Sequence, residues 1–226
     1  MKARLRILSI VVALLIIAGV VWLWQRDKET LSDREYPGFV NQKDLGIPED
    51  VRAQWEIQLR TAEALYAADP SDLSALQSIA VFHHSLGNFA TARRAIETYV
   101  EKNTINPAGW VIYGDIANSM EDWRTAEAAW IKSLTLGTDE FVFEKIERLW
   151  KGHFPERDAD IEVLWQDAIR LDEQRDMYLV KLARWYAQHE RWGEAAAHMK
   201  IVAERNKDNA DTQAEYQEYR QKAREE

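Results

Sequence analysis

The sequence predicts an all-α protein: an N-terminal transmembrane helix, a superhelix of stacked helix pairs, and a C-terminal capping helix. Three observations predict it. A 34-residue period runs through the middle of the chain, glycine and proline are scarce (9 and 5 in 226 residues), and residues 7–24 carry no charge. Low glycine and proline beside abundant Ala, Leu, Glu and Arg favour helix throughout.

The apolar segment comes first in order. Ile7 to Trp24 reads ILSIVVALLIIAGVVWLW, and 18 helical residues span roughly 27 Å at about 1.5 Å each, close to a bilayer's hydrocarbon thickness. Trp22 and Trp24 stand at its end, where amphipathic rings favour the headgroup boundary. A cleaved signal peptide has a shorter apolar core and a small-residue cleavage site. Here Trp-Leu-Trp-Gln-Arg follows instead, so an uncleaved anchor is expected. The basic segment 1–6, with Lys2, Arg4 and Arg6, favours a cytoplasmic N-terminus. The expected location is a bacterial inner membrane, crossed once, with the soluble domain periplasmic or otherwise outside the cytoplasm. Residues 25–48 are polar and broken by Tyr36-Pro37-Gly38 and Gly46-Ile47-Pro48, which reads as a spacer between anchor and domain.

Composition excludes several functions. With no cysteine there is no disulfide, no thiolate metal site, no cysteine nucleophile and no acylated cysteine. The first six residues supply +3 and the next eighteen none, so a chain at −9 leaves −12 for residues 25–226. Such an acidic domain repels phosphate backbones, and no nucleic acid is expected as a partner.

Residues 49–226 carry the period. Gly87-Asn88-Phe89-Ala90-Thr91-Ala92 returns 34 residues later as Glu121-Asp122-Trp123-Arg124-Thr125-Ala126, and again as Glu190-Arg191-Trp192-Gly193-Glu194-Ala195. The 34-residue offset also takes Leu76 to Trp110, Ala80 to Gly114 and Ile96 to Trp130, and one step back from Phe89 lands on Trp55. Small residues such as Ala80, Gly114 and Ala183 let paired helices approach. Leu76, Trp110 and Leu179 fill the gaps between pairs. No pair covers its own apolar face, so neighbours must stack.

These residues give the chain its resemblance to the tetratricopeptide-repeat (TPR) family. The clear copies are 73–106, 107–140 and 176–207. Between them, copy 141–175 is degenerate. Its second helix, about Ala159 to Leu171, keeps phase, but its first, Phe141 to Trp150, is out of register by one or two residues. Half a repeat, about Glu49 to Ala68, precedes Leu73. Residues 208–226 form the polar capping helix, with Ala214, Tyr216 and Tyr219 on it.

The resemblance implies protein recognition on the inner face lined by the first helices. In this sequence that face offers Ser74, Gln77, Val81 and His84, then Ala108, Val111, Asp115 and Asn118. The last copy offers Met177, Val180, Arg184 and Ala187, with Lys181 beside them. The expected partner-binding residues are therefore Gln77, Val81, His84, Val111, Asp115, Asn118, Lys181 and Arg184. Lys181 and Arg184 suggest attraction for an acidic segment, unless they only neutralise neighbouring acids such as Asp176 or Glu190. Gln77 and Val81 do not match the Lys and Asn with which family members clamp a peptide's C-terminal carboxylate.

Other motifs read blandly. His83 falls at an inward position and is expected to pack in the core, while His153, His189 and His198 are expected at the surface. No catalytic residue, metal site, cofactor or small-molecule substrate is expected: no H-E-x-x-H set, phosphate loop or nucleophile elbow is present. Most tryptophans fall at repeat core positions. The expectation is a membrane-tethered interaction scaffold whose groove binds a protein or peptide in the cell envelope. The alternative is a fixed assembly subunit, of the cytochrome c maturation or secretion-translocon type.

Overall fold

Helix-forming composition and the 34-residue period produce ten α-helices and one short 3₁₀ turn among the described residues. The structure, a computed structural model, describes Tyr36, residues 38–137 and residues 140–225. The expected anchor at 7–24 and the basic segment before it lie outside these residues. Among those described, no helix is long and apolar enough to cross a membrane.

The helices come in pairs. A single 20-residue helix, α1 (Glu49–Ala68), is followed by α2 (Leu73–Ser85) with α3 (Phe89–Lys102), and α4 (Pro107–Ser119) with α5 (Trp123–Leu136). Next come α6 (Glu140–His153) with α7 (Asp158–Leu171), α8 (Asp176–Gln188) with α9 (Trp192–Arg205), and lastly α10 (Ala210–Lys222). Local chemistry sets several starts. The Asp72 carboxylate accepts from Ser74 N and Ala75 N, and Asn106 Oδ1 accepts from Ala108 N with Pro107 in the first turn. Each satisfies amides that a helix N-terminus leaves without partners.

The turn inside each pair needs a left-handed residue. Gly87 adopts φ 82°, and the equivalent positions are Glu121 at 63° and Glu190 at 58°. Glycine takes this conformation freely, whereas a glutamate is strained there. In the degenerate copy the turn is replaced. Phe154 is buried beneath a 3₁₀ turn, Pro155–Arg157, and this longer join absorbs the register slip of α6.

The chain divides into two compact units between Ala126 and Glu127, inside α5. The core of the first contains Leu76, Ala80, Phe89, Ala92, Ile96, Tyr99, Ile116 and Met120. The close approach of α3 and α4 falls at Gly109, where a Cβ would stand 2.4 Å from Tyr99 Cε1. The period points to Gly114 for such an approach, and Gly114 is buried as well. In the second unit Phe143, Trp165 and Tyr178 form an aromatic triangle with centroids 5.7–6.1 Å apart. Trp192 of α9 meets Tyr219, the one buried side chain of the otherwise polar α10.

The spacer expected over 25–48 is not a spacer throughout. Tyr36, Phe39 and Val40 pack against the first unit's core. This strap is held by backbone bonds as well: Val40 N donates to Met120 O (2.9 Å), Lys43 N to Gly87 O (3.2 Å), and Ala90 N to Asn41 O (3.2 Å). Apolar Tyr, Phe and Val spaced along an extended segment carried the signal, but the turn residues around them read as punctuation.

Candidate partner-binding faces

The first unit brings six of the eight expected residues onto neighbouring first helices: Gln77, Val81 and His84 on α2, and Val111, Asp115 and Asn118 on α4. All six are partly exposed, and Ser74 and Ala108 beside them are exposed. His84 links the two helices through Nε2, 2.8 Å from Ser119 Oγ, and its ring stands 5.6 Å from Phe89. The face is short-chained and nearly uncharged.

Lys181 and Arg184 belong to the second unit, on α8, and there the expected positive patch is compensated. Lys181 Nζ lies 2.9 Å from Glu144 and 3.6 Å from Glu147, both on α6. The Arg184 guanidinium donates through Nε and Nη2 to both carboxylate oxygens of Glu215, at 2.8 and 2.9 Å, joining α8 to α10. This fork holds the Glu215 carboxyl below its ordinary range. The acids that neutralise these cations are thus Glu144, Glu147 and Glu215, not Asp176 or Glu190. Reading along the chain cannot reach them, since each lies about 31–37 residues away across a helix pair.

The histidines sort as follows. His83 is partly buried, its side chain 14% exposed, and desolvation followed by the Arg94 charge pushes its pKa down. His198, expected at the surface, is half-buried: its ring stacks on Tyr186 at 5.5 Å, and desolvation lowers its pKa too. His189 is exposed, with Nε2 against the Asp158 carboxylate and Nδ1 against Trp185 O, both of them acceptors. Among the described residues no group of three metal-ligating side chains forms.

The structure also shows a device that the sequence reading missed. Successive copies are joined by clasps of an acid, an arginine and a first-helix aromatic ring. In the first, Arg93 of α3 donates to Asp122 in the next turn (2.7 Å) and to Glu97 (2.9 Å), which accepts from Tyr113 Oη (3.0 Å). In the second, Glu127 of α5 accepts from Arg157 and from Trp150 Nε1 (2.7 Å), with the guanidinium 4.3 Å from the Trp150 ring. In the third, Glu162 of α7 accepts from Arg191 (2.8 Å) and Tyr186 Oη (2.9 Å), with Arg191 4.4 Å from the Tyr186 ring. The second-helix residues 93, 127 and 162 follow the repeat period. The charges swap sides after the first clasp, so a search by residue type does not find them.

The strap covers the first clasp. Arg93 lies 4.4 Å from the Tyr36 ring and 5.7 Å from Phe39, and Tyr36 Oη donates to Glu97 (3.0 Å). Burial first, then the Glu97 charge, raises the Tyr36 pKa. Among the described residues no cover of this kind lies on the second clasp. Beside it, between α5 and α7, opens a cleft of about 490 Å³ whose walls include Ile131, Leu134, Trp150, Arg157, Val163 and Leu164.

Comparison with protein-family models and with curated proteins yields no match. Solved structures do match. The crystal structure of MamA superposes with a TM-score of 0.56 at 16% identity, over 75% of this chain and 98% of that one. The Naa15/Naa10 complex bound to HypK gives 0.54 at 14% identity, over 67% of this chain but 23% of its own. YrrB, described as a TPR protein with an unusual peptide-binding site, gives 0.51 at 16% identity, over 72% and 86%. At such identities the likeness concerns the fold alone, and the fold is that of tetratricopeptide-repeat proteins.

Proposed function

We propose that this chain is a protein-interaction scaffold that holds an extended or helical segment of a partner on its first-helix face. One observation carries the reading. In the first unit two adjacent first helices, linked by His84 and Ser119, present a continuous run of short, nearly uncharged, partly exposed side chains from Ser74 to Asn118. Surfaces of this kind accept a partner's side chains without stripping water from charges. The structural likeness to YrrB, a protein described as binding peptide, and to a subunit seen in a complex, supports the same class of function. With Lys181 and Arg184 matched by acids, nothing favours an acidic segment over a neutral one.

Tethering to a membrane is part of the proposal and rests on sequence: eighteen uncharged residues preceded by three cations. Alkaline phosphatase fused after Glu226 should be active, and the mature chain should begin at or near Met1. An inactive fusion or a mature N-terminus beyond Trp24 overturns the tether.

Binding is tested by pulling the chain from crosslinked native membranes, comparing Val81→Glu with Val111→Glu against Lys200→Glu, an exposed residue of α9. Arg94, on the second helix α3, is unsuitable as a control because it is buried. Loss of the captured protein only with the first-helix variants supports the reading. Unchanged capture by all three, with folding intact, removes that face from the account. A single partner recovered in fixed stoichiometry would instead favour the assembly-subunit reading.

A further inference from the structure

The cleft between α5 and α7 is the strap's seat displaced by one repeat. Thirty-four residues beyond Arg93 and Glu97, which receive Tyr36, stand Glu127 and Ile131. Glu127 anchors the second clasp, and Ile131 lines the cleft. The first clasp is covered: the Arg93 side chain is 9% exposed. The second is open: Arg157 is 30% exposed, and Ile131, Val163 and Leu171 around the cleft are 40–58% exposed. Large apolar side chains so exposed in one concave place mark a surface that something covers.

We infer that this cleft binds an extended segment of another protein that presents an uncharged aromatic ring of the phenylalanine type. The chemistry of the walls selects that occupant. The Arg157 guanidinium sits at the rim with its charge balanced by Glu127 and Asp160, and Arg170 is paired with Asp167. Each rim cation therefore already has its acid, and a charged segment gains nothing there. A guanidinium still attracts the face of an aromatic ring, as Arg93 attracts Tyr36. Where Glu97 accepts the Tyr36 hydroxyl, Ile131 offers no acceptor, so a tyrosine entering as Tyr36 does would bury its hydroxyl unsatisfied. A ring without a hydroxyl fits better. The same argument disfavours the strap of a second copy, whose Tyr36 is matched to its own Glu97 and whose backbone is already bonded. This site lies between the second helices α5 and α7 and uses none of the residues of the proposed first-helix face, so it stands or falls apart from that face.

The probe is the labelled decapeptide with the sequence of residues 35–44, alongside the same peptide with Tyr36→Phe. Binding to the full-length chain in mild detergent is followed by fluorescence anisotropy. The Phe peptide should bind about 5- to 10-fold more tightly than the Tyr peptide, the factor expected when one buried hydroxyl lacks its partner. Val163→Asp, at an exposed position, should weaken the Phe peptide at least about tenfold by placing a charge in an apolar wall. Ile131→Glu, which rebuilds the acceptor, should reverse the preference. No binding of either peptide overturns the inference. So does binding that ignores Val163→Asp, which would place the peptide in the strap's own seat. A dimer seen by sedimentation and dissolved by Val163→Asp would make the occupant a second copy, and likewise overturn it.

Discussion

Gly87→Ala is the sharpest perturbation of the strap. Two terms add at this position. The backbone has φ 82°, and a non-glycine residue there costs about 1 kcal/mol. The built Cβ would also stand 2.1 Å from the carbonyl oxygen of Lys43, a backbone atom that cannot swing aside. The strap must lift, breaking the Lys43 N to Gly87 O bond and loosening Ala90 N to Asn41 O. Two backbone hydrogen bonds at about 1 kcal/mol each bring the total to roughly 3 kcal/mol. The assay is urea denaturation of fragments 36–226 and 49–226, each with and without the substitution. In the shorter fragment, which lacks the strap, only the backbone term remains, so the cost should fall to about 1 kcal/mol. Trypsin should meanwhile cleave after Lys43 faster in the substituted longer fragment. Equal costs in both fragments would show that the strap does not cross Gly87, and would refute the docking.

Three further outcomes follow from packing and charge. Trp130→Ala should cost about 3–5 kcal/mol, because Trp130 is 3% exposed, whereas half-buried Trp110 should cost about half as much by the same denaturation. Glu190→Gly should raise stability by about 1 kcal/mol by relieving its left-handed strain, read as a higher denaturation midpoint. Burial depresses the pKa of His83 and of His198 in the folded chain, so the unfolded chain binds more protons below the ordinary histidine value. Their stability contribution is present above about pH 6.5 and declines as pH falls below it. Between pH 7 and 5.5 the wild-type midpoint should therefore drop more than that of His83→Phe, since the half-exposed Glu63 at 3.8 Å opposes this only weakly.

What the sequence made legible is what repeats by residue type. Phe89, Trp123 and Trp192 each open a second helix, and Ala80 and Ala183 are fully buried where helices meet. Trp55 shares their phase but stands inside α1, which begins six residues earlier than a regular second helix would. The clasps were not legible, because Arg93 and Glu127 occupy one repeat position with opposite charge. Nor was the strap: an extended segment has no helical period, and its partners Glu97, Gly87 and Met120 lie 44–80 residues away. The acids that compensate Lys181 and Arg184 were not legible for a related reason. They sit across helix pairs, where spacing along the chain says nothing.

The claim that partners bind on the first-helix face is tested most directly by site-specific photocrosslinking in living cells. A photoreactive residue is placed singly at Gln77, Val111 and, as reference, Ala197 on the exposed side of α9. The account predicts discrete crosslinked protein adducts from Gln77 and Val111 and none from Ala197. Adducts from Ala197 alone, or none from either first-helix position in a folded chain, would contradict it.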